Sequence, residues 1–180
     1  MKRYIVIFSL LVLAASCAQT QNPQSQNVQP QTHMITITSP AFQNEGIIPD
    51  VFSCKGQNIN PKLSIAEVPN EAKSLVLIVH DPDAPVEGGF THWVVFNIRP
   101  ETKTIAQNSV PTGAVQGNNG SGKAAYTGPC PPSGTHRYYF KIYALDTELS
   151  LEQGATKDQV EKAMQGHTLD EGELMGRFSK

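Results

Sequence analysis

The sequence predicts a mainly β fold: an antiparallel Greek-key β-sandwich with short α-helices at its C-terminal end. Short apolar or alternating stretches of strand length recur through the middle of the chain, segments rich in Gly, Pro and Asn separate them, and helical periodicity is confined to the last thirty or so residues. Strands first and helices last, with no βαβ alternation, point to a sandwich rather than a parallel sheet.

Taken in order, residues 34–38 alternate apolar and polar side chains, as a half-buried strand does. Residues 74–79 (SLVLIV) and 93–98 (WVVFNI) are short apolar runs, the pattern of strands covered on both faces. Residues 138–145 alternate again, with aromatic and β-branched side chains. Residues 113–128 are rich in Gly and Asn and predict one long loop, and long loops in compact domains are frequently functional. Thr156-Lys157-Asp158 opens an amphipathic helix with Val160, Ala163 and Met164 at helical spacing, stopped by Gly166. A second short helix is expected from Leu169 to Met175.

The 180 residues divide into three parts. Residues 1–17 have the order of a lipoprotein signal peptide: Lys2 and Arg3, an apolar stretch too short to span a bilayer, then Ala14-Ala15-Ser16-Cys17. Small residues before a cysteine resemble the lipobox, which predicts lipidation of Cys17, although the customary Leu stands one position early as Leu13. Residues 18–33 are rich in Gln, Asn, Pro, Ser and Thr, too polar to fold, and predict a flexible tether. Residues 34–180 form the folded domain. The predicted location is the cell envelope, lipid-anchored, on the outer membrane facing the periplasm in a Gram-negative host. Ala18 is not the Asp that holds many lipoproteins at the inner membrane.

Charge narrows the partners. The whole chain has a formal charge of −2; without Lys2 and Arg3, 12 basic residues face 16 acidic ones, giving −4. No basic run exists to follow a phosphate backbone, so nucleic acid is not an expected partner. An anion site would have to be local, built from a few donors.

Three segments have the composition for one. His80-Asp81-Pro82-Asp83-Ala84-Pro85 follows an apolar strand, and its prolines stiffen a turn able to hold a carboxylate in place or simply to cap itself. His92 opens the next strand, as a donor, a base or a structural residue. Residues 128–138 (GPCPPSGTHRY) combine glycines that allow close backbone approach with prolines that lock the loop. His136 and Tyr138, two apart, share a strand face and can each donate to an oxyanion. An Asp beside two histidines has a physical role here. Its carboxylate fixes the imidazole tautomer and favours the imidazolium, a charge-assisted donor.

These segments, with residues 52–64 and 155–179, occur in an order that resembles the phosphatidylethanolamine-binding protein family, in its bacterial, Raf kinase inhibitor-like branch. The resemblance implies a β-sandwich with C-terminal helices and a small surface pocket for phosphate, phosphorylated headgroups or carboxylates. It implies as pocket residues Asp81, Ala84, His92, Gly128, Cys130, Pro131, Pro132, His136 and Tyr138. It implies no catalytic residue, required metal or cofactor.

Cys54 and Cys130 are the remaining cysteines; an exported setting favours their pairing, with two free buried thiols as the alternative. A non-catalytic anion-binding module is the expected function. An inhibitor of an envelope kinase or protease, which would add a protein partner, is the second reading. An enzyme is the third, with Asp81, His92 and His136 as a two-His, one-carboxylate metal site or Cys130 as a thiol nucleophile. The GxSxG and HExxH motifs are absent.

Overall fold

The computed structural model describes residues 34–180; the expected signal peptide, Cys17 and the tether lie outside the described residues. Two antiparallel sheets make up the domain. The smaller has β1 (Thr36–Thr38), β2 (Leu63–Ala66) and β5 (Thr104–Ile105), in the order β1-β2-β5. The larger has β3 (Ser74–Asp81), β4 (Phe90–Ile98), β6 (Val115–Gly117), β7 (Thr135–Leu145) and β8 (Thr168–Ser179), in the order β6-β4-β3-β7-β8. Among the described residues a single α-helix, α1 (Lys157–Met164), stands between β7 and β8.

The apolar runs became the central strands because both faces of the larger sheet are covered. On β3, Leu75, Leu77 and Val79 join a core that also contains Ile37, Leu63, Ile65 and Ile105 of the smaller sheet. Val76 and Ile78 point the other way, into a second cluster with Val160 and Met164 of α1. Leaving water contributes about 2 kcal/mol for each such side chain, and the alternation along the strand distributes that gain over two layers. Helix α1 starts where expected. Thr156 Oγ1 accepts from the Gln159 amide at 3.3 Å and Gln159 Oε1 accepts from the Thr156 amide at 2.9 Å, a reciprocal capping box.

Two expectations are corrected. Residues 169–175 are not a second helix; they lie within strand β8, paired with β7 from Thr135↔Ser179 to Leu145↔Thr168. Gly172 and Gly176 are register partners of Ile142 and Tyr138, while Leu174 and Phe178 are buried in the core between the two sheets. A Cβ on Gly172 would lie 2.0 Å from the Ile35 carbonyl oxygen, and one on Gly176 would lie 2.5 Å from Ile48 Cγ1. Two of the four inward positions must therefore be bare, and the period of two is disguised. The second correction concerns residues 113–128, which are not all loop: β6 pairs with β4, Val94 opposite Gly117 and Phe96 opposite Val115.

The outer side of β8 is covered by residues 44–48. Glu45 N donates to Met175 O at 2.7 Å, Ile48 N to Arg177 O at 2.8 Å, and Arg177 N to Gly46 O at 2.7 Å.

Candidate functional site

The pocket forms where β3, β4 and β7 end near one another. β3 terminates in Asp81, buried with 3% exposure, and β7 presents His136 at 8%. These strands are neighbours, so a carboxylate and an imidazole 55 residues apart meet: His136 Nδ1 donates to Asp81 Oδ2 at 2.8 Å. The other carboxylate oxygen, Oδ1, accepts the Asp83 amide at 2.8 Å, the self-capping turn that Asp-Pro-Asp predicts.

The turn is fastened a second time. Asp83 receives the Arg137 backbone amide and Nε on Oδ2, both at 2.9 Å, and Nη2 on Oδ1 at 2.6 Å. The guanidinium holds the Asp83 carboxyl down at about 2. So consecutive residues of β7 bind the two aspartates of one turn, His136 to Asp81 and Arg137 to Asp83.

His92, on β4, is buried and donates Nδ1–H to the Thr127 carbonyl at 2.6 Å. Burial lowers its pKa, with the Thr127 carbonyl and the Asp81 charge opposing. Its ring meets Phe90 edge-on at 4.9 Å and Tyr138 edge-on at 5.1 Å.

The far wall is residues 128–132. Gly128 packs so closely that a Cβ there would sit 2.1 Å from the Phe52 carbonyl oxygen, and its amide donates to Asn58 Oδ1 at 2.7 Å. Cys130 is joined to Cys54, with a Cα–Cα distance of 5.4 Å. The loop entering this wall is organised by Asn119. Its Oδ1 accepts the Ser121 and Lys123 amides, and its Nδ2 donates to Ala125 O and Thr127 Oγ1.

Together these enclose a cavity of about 240 Å³. Eight of the nine expected pocket residues line it: Asp81, Ala84, His92, Gly128, Cys130, Pro131, Pro132 and His136. Tyr138 does not. It is buried behind the wall, edge-on to His92 and stacked at 6.5 Å on His136, so it positions the two rings rather than facing the cavity. Burial and then the nearby Asp81 charge push its phenol up, so its proton stays on oxygen.

Sequence reasoning missed four lining residues, Pro85, Val86, Phe90 and Thr127, and the braces Asn58, Asn119 and Arg137. Pro85 and Val86 extend the Asp-Pro-Asp turn and were within reach; Asn58 and Asn119 act across the fold, with no local signal. Among the described residues, no group of three His, Cys, Asp or Glu side chains is placed to hold a metal ion.

An antiparallel sandwich with a small buried-carboxylate pocket at the ends of its central strands defines the class. The chain matches the phosphatidylethanolamine-binding protein family model over residues 38–179. A UPF0098 protein of Methanothermobacter thermautotrophicus is 50% identical over 81% of this chain and 99% of its own. Another, from Chlamydia trachomatis, is 48% identical over 80% and 98%. A crystal structure of a phosphatidylethanolamine-binding protein homologue from Chlamydia trachomatis superposes with TM-score 0.79 at 46% identity, covering 83% of this chain and 99% of that one. The Escherichia coli member YbcL gives TM-score 0.77 at 29% identity, covering 81% and 98%. The protein belongs to the phosphatidylethanolamine-binding protein family.

Proposed function

We propose that this protein is a non-catalytic binding module for small anionic groups, phosphate, a phosphorylated headgroup or a carboxylate, held at the cell envelope through lipid on Cys17. The single observation that carries the ligand reading is the convergence of Asp81, His92 and His136, all nearly buried, on one 240 Å³ cavity with otherwise largely apolar and proline walls. A cavity of that size suits a headgroup rather than a whole lipid.

Binding rather than turnover is supported by what the reactive groups are doing. His92 has its Nδ1 committed to a backbone carbonyl, and the Cys130 sulfur is tied to Cys54, leaving no thiolate to attack. The family description names a binding activity, which agrees.

The test is titration of the full chain with phosphate, phosphoethanolamine and acetate, followed by calorimetry, first with chelator and then with added Zn²⁺. Saturable binding in chelator that is lost in His136→Ala supports the reading. Absence of anion binding, with stoichiometric metal uptake instead, overturns it. For the anchor, Cys17→Ser should release the protein from membranes, and continued retention would overturn that part.

A further inference from the structure

The pocket has an inventory of charges unusual for an anion site. No lysine or arginine side chain lines it. Arg137, the nearest guanidinium along β7, is committed to Asp83 on the surface. The wall at residues 128–132 contributes Pro129, Pro131 and Pro132, which have no N–H; the Gly128 amide is already donated to Asn58, and the Cys130 amide is directed at the Tyr138 hydroxyl. The formal charge facing the cavity is therefore that of the Asp81 carboxylate together with whatever protons the histidines hold.

Asp81 and His136 share one hydrogen bond, so a proton on either is felt by the other. With one proton between them the pair is a carboxylate and a neutral imidazole, with charge −1. With two it is a carboxylate and an imidazolium, with charge zero, and Nε2–H becomes a donor. An anion entering beside the first form meets the like charge of a nearly buried carboxylate; beside the second it meets a donor. The other groups facing His136 do not change that balance. Asp83 is neutralised by Arg137, the Tyr138 phenol is held protonated, and from β8 the facing residues are Phe178 and Ser179. Lys55 lies over Phe178 but spends its ammonium on the Ser179 carbonyl. On the β4 side, burial disfavours the charged form of His92, the Asp81 charge favours it, and His80, on the other face of the sheet, opposes it.

Resting on the anion-binding reading above, we infer that the pocket takes its anion together with one proton, and so favours oxyanions that keep an O–H near neutral pH, such as hydrogen phosphate, over fully ionised ones such as sulfate. The proton sits on His136 or stays on the ligand as an O–H donated to the pocket. In either case one anion and one proton enter per site, and no covalent bond changes. Linkage then requires that the anion raise proton affinity by the factor by which protons raise anion affinity.

Sulfate is the decisive probe because it brings no proton. The experiment is calorimetric titration of the full chain with sulfate and with phosphate between pH 6 and 8.5 at constant ionic strength, at each pH in two buffers of different ionisation enthalpy. The expected result for sulfate is uptake of about one proton at pH 8, with affinity falling about tenfold per pH unit. Phosphate is expected to exceed sulfate at least tenfold at pH 8. In Asp81→Asn the charge that demands the proton is gone, and the sulfate pH dependence should shrink below threefold across the range. If that variant fails to fold, the proton count on the native chain decides. Anion binding with no proton uptake and a flat pH profile overturns this inference and leaves the binding reading standing. No binding of either anion at any pH removes both.

Discussion

Strand β3 ends in two adjacent titratable residues that the pleat sends to opposite faces of the larger sheet, and the two faces treat them differently. Asp81 enters the pocket face with both carboxylate oxygens bonded, one to His136 and one to the Asp83 amide. His80 enters the face covered by α1, where its Nδ1 is buried without a partner and burial and Lys157 lower its pKa. On one face polar atoms are paired within a site; on the other a polar atom is tolerated within packing. Chemical type alone did not separate the two residues, but hydrogen-bond satisfaction does.

The largest expected effect is on what holds the pocket face together. Cys54 and Cys130 are 76 residues apart, and opening their disulfide should cost about 4 kcal/mol by freeing that loop in the unfolded chain. Urea unfolding with and without reductant measures it; an unchanged midpoint would show that the pocket wall is braced by Asn58 and packing alone.

Next come the two neighbours. Asp81→Ala strands the His136 Nδ1–H and the Asp83 amide, and should destabilise by about 2–3 kcal/mol. His80→Leu removes an unpaired nitrogen together with the imidazole's bond to the Gly88 backbone, so stability should change by less than about 1 kcal/mol. Chemical denaturation of both variants tests the contrast directly, and equal losses at the two positions would abolish it.

Acid should act on both faces. His92 and His80 have folded pKa values below their ordinary 6.5, so as pH falls the unfolded chain takes up protons before the folded one. Their contribution is complete above about pH 6.5 and is lost as pH drops toward the depressed values. Melting temperature should therefore fall between pH 7 and pH 5, less steeply in His92→Phe; a melting temperature that climbs on acidification contradicts the sign.

The smallest effect is expected at the exposed clamp. Arg137→Ala should leave melting nearly unchanged, because solvent-exposed ion pairs contribute little. It should also let the Asp83 carboxyl return from about 2 to its ordinary 3.8, readable by an NMR pH titration. An Asp83 that keeps its low value would mean the turn itself, not the guanidinium, holds it.

The sequence made the central strands legible because burial on both faces writes an uninterrupted apolar run, as in residues 74–79. It made most of the pocket legible because prolines, glycines and histidines cluster in two short segments. What stayed hidden has physical reasons. In β8 the glycines at 172 and 176 remove half of the inward apolar signal, and the intervening acids imitate a helix. Tyr138 shares a strand face with His136 as expected, yet alternation cannot say that the ring lies behind its neighbours rather than among them. Asn58 and Asn119 brace the loop through bonds that depend on where distant backbone amides fall.

The ribbon of residues 44–48 along β8 has a bearing on how this protein avoids its own copies. β8 is twelve residues long and ends its sheet, the kind of border on which a second molecule could add a strand and begin a fibre. The bonds from Glu45, Gly46 and Ile48 to Met175 and Arg177 occupy that border from within the chain. A shortened version that began after Ile48 would leave the border open, and light scattering over hours should find it growing where the longer chain stays monodisperse.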